Sequence, residues 1–206
     1  MDVMAMAAQE RTDLADLLDT LSLEQWDVPS LCEGWTVRDV VAHVVSYEGL
    51  GPAGVAKRLV QGRLLPDRAN AVGVAALHDR APADLVAQLR AHAVPSGVTA
   101  GFGGRIALTD GLVHQQDVRR PLGLPRHVPA ERLLVALPFA LTAPTVRGLW
   151  NVRGVRVVAT DLDWSSGRGP EARGPGEAVL MAVGGRRGAA RDLTGPGADL
   201  LQRRLG

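Results

Sequence analysis

The sequence predicts a mainly α protein, in which a helical bundle over residues 1–145 precedes a small α/β domain over residues 150–206. Three observations favour this fold class. Apolar residues recur at helical spacing through most of the first 145 residues. The valine-rich segment GVRVVATDLDW then changes the pattern to one typical of β-strands. Two Gly-Pro-Gly turns follow, and each precedes a short run that favours a helix, EAVLMAV and ADLLQRRL.

The first helices are indicated by apolar spacing and by a capping signal. Leucines at positions 14, 17, 18 and 21 form one face of an amphipathic helix that we expect to end near Leu21. Thr36 precedes Asp39 by three residues, which is the spacing of a capping box, so a second helix should begin there. Along that helix His43 lies among valines rather than on the charged side. It should therefore point toward the interior.

Further helices are predicted by the segments AGVAKRLVQGRLL, PADLVAQLRAHAV and VPAERLLVALPFALTAP. Pro82 suits the first turn of the second of these, because a helix needs no N–H there. Pro138 lies inside the third and predicts a kink or a boundary. The third helix completes the helical region, which we expect to end near residue 145.

Composition excludes several classes of partner. The 206 residues are 46% hydrophobic and 22% charged, which is typical of a globular chain that folds. The formal net charge is +1, from 23 basic and 22 acidic residues, so bulk charge should attract neither nucleic acid nor an anionic membrane. The N-terminus becomes acidic before a secretory apolar core develops, and Cys32, the single cysteine, cannot form an intramolecular disulfide. We expect a cytoplasmic protein.

The segment TDGLVHQQDVRRPLG carries the clearest candidate for chemistry. Its residues Asp110, His114 and Asp117 are separated by four and three positions, which places them on one face of a helix. Two neighbouring ligands of this kind can hold a divalent ion. A third ligand from another helix, for which His43 is best placed, would leave one position open for water or substrate, as in catalytic zinc sites.

Structural roles account for the same residues equally well. His43 could be a hydrogen-bonded core histidine, Asp110 could cap the start of its helix, and Asp117 could pair with Arg120. Cys32 precedes a helix N-terminus, where a thiolate nucleophile could be favoured, but a packing role next to two tryptophans is the preferred interpretation. An arginine from the C-terminal segments GGRRGAARDL or LLQRRLG could bind a substrate carboxylate if it lay at a cleft.

Three segments together resemble the mycothiol-dependent maleylpyruvate isomerase family, in the wider DinB-like superfamily. They are LSLEQWDVPSLCEGWTVRDVVAHVVSYE, DGLVHQQDVRRPLG and GPGEAVLMAVGGRRGAARDLTGPGADLL. The resemblance implies an N-terminal DinB-like four-helix bundle that holds a divalent metal, usually zinc. It also implies a small C-terminal α/β domain similar to sterol carrier proteins.

The family's metal ligands are a histidine on the second helix and a Glu-x-x-x-His pair on a later one. His43 and His114 match the two histidines, and Asp110 stands where the family has glutamate. Because its side chain is one methylene shorter, we expect a water to bridge Asp110 to the metal. Asp117 matches an acidic position that would orient His114. Arg186 is the nearest match to a catalytic arginine of the isomerase.

The resemblance further implies mycothiol as a cofactor. Zinc lowers the pKa of a coordinated thiol and so supplies a thiolate at neutral pH. In the isomerase this thiolate adds to a double bond of maleylpyruvate, rotation follows, and elimination releases fumarylpyruvate, whereas other relatives transfer the thiol to an electrophile. The expected function is thus a mycothiol-dependent isomerase or transferase acting on a small electrophile. The alternatives are a non-catalytic module that binds a small ligand or a protein, and a metal hydrolase that uses zinc-bound water.

Overall fold

The computed structural model describes residues 2–206 and divides the chain into two compact units. The first extends to Pro125, and the second runs from Arg126 to Gly206. This division falls well before the boundary near residue 145 that apolar spacing indicates. The difference concerns one helix, Ala130–Thr142, which packs against a later helix of the second unit.

The first unit is helical, and four of its helices form a bundle. Its α-helices are α1 (Val3–Leu18), α2 (Leu23–Trp26), α3 (Val37–Ser46), α4 (Pro52–Gln61), α5 (Pro66–Ala75), α6 (Pro82–Ala91) and α7 (Arg105–Arg119). Both α1 and α3 pack against both α6 and α7, which closes a four-helix ring. Helix α5 packs on the outside of α3, and α4 packs on α5. The predicted four-helix bundle is thereby confirmed.

Local signals in the sequence explain where the helices begin and end. Helix α3 begins as predicted, because Thr36 Oγ1 accepts a hydrogen bond from the Asp39 amide and Asp39 Oδ2 accepts one from the Thr36 amide. Helix α1 ends at Leu18, slightly before the predicted end near Leu21. It is the longest helix with 16 residues, and no helix within residues 2–206 is both long and apolar enough to span a bilayer.

The bundle core consists mainly of aliphatic side chains from the four helices, with Trp26 of α2 and Val74 of α5. Leu14 and Leu18 of α1 meet valines of α3, leucines of α6 and Val118 of α7. The apolar face of α3 is continuous through Val45, and His43 lies beside it with only 7% of its surface exposed. The imidazole of His43 therefore lies at the edge of the packed interior, as its position among the valines predicted.

The second unit is a small α/β arrangement. Its elements are α8 (Ala130–Thr142), α9 (Gly148–Asn151), β1 (Arg156–Ala159), β2 (Ser165–Ser166), β3 (Glu171–Gly174), α10 (Gly176–Val183) and α11 (Pro196–Leu205). The sheet has the order β2-β1-β3, with Val157 opposite Ser166 in the antiparallel pair and opposite Ala172 in the parallel pair. Helix α10 packs on α8 and on the sheet. Helix α8 continues through Pro138, so this proline does not form a boundary.

Candidate metal centre

Helix α7 positions three of the predicted site residues. It begins at Arg105 after Gly104, whose φ of 90° is in the left-handed region that favours glycine. Asp110 therefore lies in the second turn, and the interpretation of Asp110 as a helix cap is wrong. His114 and Asp117 follow one and two turns later on the same face. Since α3 packs against α7, His43 can reach this face from the neighbouring helix.

The structure brings His43, Asp110 and His114 together. Asp110 Oδ1 lies 3.3 Å from His114 Nε2 and 3.7 Å from His43 Nε2. The two imidazole rings meet edge to face, with centroids 4.8 Å apart and planes inclined by 71°. One ligand atom from each residue falls within 4.8 Å of the other two, so the three side chains could hold one metal ion.

The spacing of these donor atoms suits a small divalent ion. Tetrahedral zinc with nitrogen and oxygen ligands keeps its donors roughly 3.4 Å apart, because its bonds are about 2.0–2.2 Å long. The 3.3 Å and 3.7 Å separations at Asp110 Oδ1 are close to that value. The four-residue spacing on α7 sets this carboxylate directly beside His114. The water bridge expected from the Asp-for-Glu difference stays a prediction.

Solvent reaches the centre from one side. The side chains of His43 and His114 are each only 9% exposed, whereas that of Asp110 is 37% exposed. Trp35 and Tyr47 lie against the His43 ring, with centroid distances of 5.2 Å and 5.8 Å, and so restrict its rotation. A ligand of the ion would therefore approach along the Asp110 edge.

Charge pairing shifts the titration of the cluster. Burial raises the pKa of Asp110, but the neighbouring His114 and His43 outweigh it and hold that pKa well below 3.8. Burial likewise lowers the pKa of His114, but Asp110 and Asp117 outweigh it and raise that pKa well above 6.5. Both shifts favour the charged forms, an ionised Asp110 carboxylate and a protonated His114 imidazole. An ion that binds Nε2 must displace this proton.

Asp117 and Cys32 contact the opposite nitrogen of His114. Asp117 Oδ2 is 2.9 Å from His114 Nδ1, and the Cys32 thiol donates to the same oxygen over 3.1 Å. These three residues form a second possible ligand group. Asp117 Oδ2 is at hydrogen-bond distance from both partners, closer than the roughly 3.4 Å between donors on zinc, whereas Cys32 Sγ lies 3.8 Å from His114 Nδ1. The geometry thus favours a supporting role, in which Asp117 orients the histidine.

Cys32 is the site residue that sequence reasoning interpreted differently. Its half-buried side chain packs against the bundle core, as predicted, but its thiol also reaches the candidate centre. No local pattern could reveal this contact, because 82 residues separate Cys32 from His114. Arg186 lies in the second unit just after α10, where its side chain is half-buried and donates to the Gly184 carbonyl over 3.2 Å. Its catalytic role stays a prediction.

The ion pair predicts a defined pH window for its contribution to stability without metal. The His114 contribution is complete below pH 6.5 and is lost as pH rises through its raised pKa. The Asp110 contribution is complete above pH 3.8 and is lost as pH falls through its lowered pKa. Asp110→Asn should therefore lower the Tm most between these two limits, and the loss should shrink in more alkaline solution.

Thermal unfolding of both proteins in chelator across this pH range would measure the difference. An Asp110→Asn effect that stays constant from about pH 5 to pH 10 would contradict the prediction, because neutral imidazole cannot form the ion pair.

Comparisons with known proteins match a domain in the N-terminal part of the chain and solved structures with the same fold. Residues 7–95 match the family model described as the mycothiol maleylpyruvate isomerase N-terminal domain. The matched segment contains His43, while Asp110 and His114 lie beyond it. Among curated protein sequences no match to the chain reaches significance.

Two solved structures share the fold of the chain. One is the crystal structure of the mycothiol-dependent maleylpyruvate isomerase, and the other is a histidine-to-alanine mutant of that enzyme. Each has a TM-score of 0.55 and 14% sequence identity, over 94% of this chain and 91% of the other. The likeness extends over both units, so it confirms the mainly α fold with its small α/β part. Residues 7–95 therefore carry the domain described as the mycothiol maleylpyruvate isomerase N-terminal domain.

Proposed function

We propose that the protein is a metal- and mycothiol-dependent isomerase or S-transferase that acts on a small electrophile. The observation that carries the proposal is the placement of Asp110 Oδ1 within 3.7 Å of two histidine Nε2 atoms, at zinc-like spacing. The family of the N-terminal domain supports the choice of thiol, and two imidazoles with one carboxylate suit zinc.

Each residue of the centre has a distinct part in this proposal. His43, Asp110 and His114 would hold the ion. When bound, a zinc ion lowers the pKa of a coordinated thiol and so provides a thiolate at neutral pH. The Asp117 carboxylate accepts a hydrogen bond from His114 Nδ1–H, which leaves Nε2 for the ion.

The surroundings of the centre determine access. Trp35 and Tyr47 flank His43 and restrict the rotation of its ring. Metal binding therefore does not have to immobilise a freely rotating imidazole. The exposed edge of Asp110 leaves room for the thiol and the electrophile. We also retain Arg186 as the proposed partner of a substrate carboxylate, since a guanidinium binds a carboxylate through two parallel hydrogen bonds.

Thiol dependence tests the proposal most directly. Zinc-loaded protein should convert maleylpyruvate, or another member of a panel of small electrophiles, only when mycothiol is present. Product formation is measured with mycothiol, with a thiol-free blank, and with the serine analogue of mycothiol. Arg186→Ala should lower kcat/KM for carboxylate substrates while the zinc content is unchanged.

Each alternative function predicts a different pattern in this assay. Turnover of an ester or amide panel without thiol would indicate a hydrolase and overturn the proposal. Zinc binding with no turnover of any electrophile would indicate a binding module.

A further inference from the structure

The loop before α3 contacts both histidines of the candidate centre. A bridge between Pro29 and Thr36 closes the loop, and the Ser30 amide donates to the Trp35 carbonyl over 2.8 Å. The Trp35 amide donates a hydrogen bond to the Cys32 carbonyl over 3.0 Å. These bonds hold the loop in one conformation, with the Trp35 ring on His43.

The same loop is anchored to α7 at Asp117. The Leu31 amide donates to the Asp117 carbonyl over 3.1 Å, and the next residue, Cys32, donates its thiol proton to Asp117 Oδ2 over 3.1 Å. His114 Nδ1 lies 2.9 Å from that same oxygen. The side chain of Asp117 is fully buried, so bulk water cannot replace either donor.

We propose that Cys32 is a positioning residue for the metal centre, whose S–H group fixes the Asp117 carboxylate that orients His114. The inference rests on the proposed function, because it assigns a role toward the proposed ion. Two donors on one oxygen define the rotation of the carboxylate about its Cβ–Cγ bond. The carboxylate in turn defines the plane of the imidazole, so that His114 Nε2 points to Asp110. Cys32 acts here as a hydrogen-bond donor and not as a nucleophile.

Metal affinity tests this role without any assay of activity. Loss of a partner that orients a ligand weakens metal binding by about 10- to 100-fold, and Cys32 acts one bond further away, so Cys32→Ala should weaken zinc binding by roughly tenfold. The d–d absorption of the cobalt-substituted protein should change in intensity as His114 becomes less restricted. Cys32→Ser keeps a donor and should bind zinc within about threefold of the wild type.

The matched control is Leu21→Ala, because Leu21 packs against the same core cluster as Cys32 but lies in the turn that follows α1. This variant should lower the Tm and leave zinc affinity and the cobalt spectrum unchanged. If Cys32→Ala does not fold, Cys32→Val removes the donor without leaving a cavity.

Three results would overturn the inference: wild-type zinc affinity in Cys32→Ala, equal weakening in Cys32→Ser, or equal weakening in Leu21→Ala. Failure of the wild-type protein to bind zinc is a different result, which removes the proposed function and this role together.

Discussion

His114→Ala should abolish zinc binding. His114 is the central residue of the candidate centre, since its Nε2 lies 3.3 Å from Asp110 Oδ1 and its ring packs 4.8 Å from that of His43. Loss of a supporting partner weakens metal binding by about 10- to 100-fold, and loss of a ligand should exceed this range. Zinc content after purification without added metal, together with competition against a chromophoric chelator, measures the effect.

His78→Ala is the matched control for this prediction. The His78 side chain is 64% exposed, and its Nδ1 lies 3.4 Å from Asp39 Oδ1, an oxygen outside the proposed ligand set. Zinc affinity should therefore remain at the wild-type value in this variant. Unchanged zinc content in His114→Ala would disprove the centre, and a loss in both variants would indicate non-specific binding by surface histidines.

The sequence predicted those parts of the fold that depend on local signals. The capping box at Thr36 and Asp39 gave the start of α3, and the spacing of Asp110 and His114 gave one face of α7. Helix α5 has a start signal in Pro66 but a weak apolar pattern, because only three of its residues, Ala69, Gly73 and Val74, are buried. Small residues produce a weak apolar period, so this helix was not predicted.

The division of the chain and the contact of Cys32 depend on tertiary structure. Apolar spacing shows that α8 is a helix but cannot show which unit its apolar face joins, so the predicted boundary fell near residue 145 instead of residue 125. In the same way, the hydrogen bond from Cys32 to Asp117 joins positions 85 residues apart. Only the packing of the loop on α7 brings this thiol to the site.

A second large effect is expected at a buried ion pair of the first unit, between Arg11 and Glu48. Arg11 donates to Glu48 Oε1 and to the His92 carbonyl, and the two charged side chains are only 3% and 1% exposed. Thr99 also donates to Glu48 Oε1, over 3.0 Å. Glu48 Oε2 is buried and has no hydrogen-bond partner among residues 2–206. The carboxylate therefore depends strongly on Arg11 for compensation of its charge.

Arg11→Ala should lower the free energy of unfolding of the first unit by about 3–5 kcal/mol, because it leaves the Glu48 carboxylate buried without its counter-charge. The Tm should fall by roughly 10 °C for a chain of this size. Urea unfolding followed by circular dichroism measures the loss. Arg90→Ala is the control, since Arg90 pairs with Asp16 and Asp19 at 42% exposure and should change stability far less.

Arg11→Met combined with Glu48→Leu should recover most of the loss, because it removes both charges and Thr99 keeps the Ser96 carbonyl as an acceptor. Equal destabilisation by the single and double variants would show that Arg11 contributes through packing rather than through its charge.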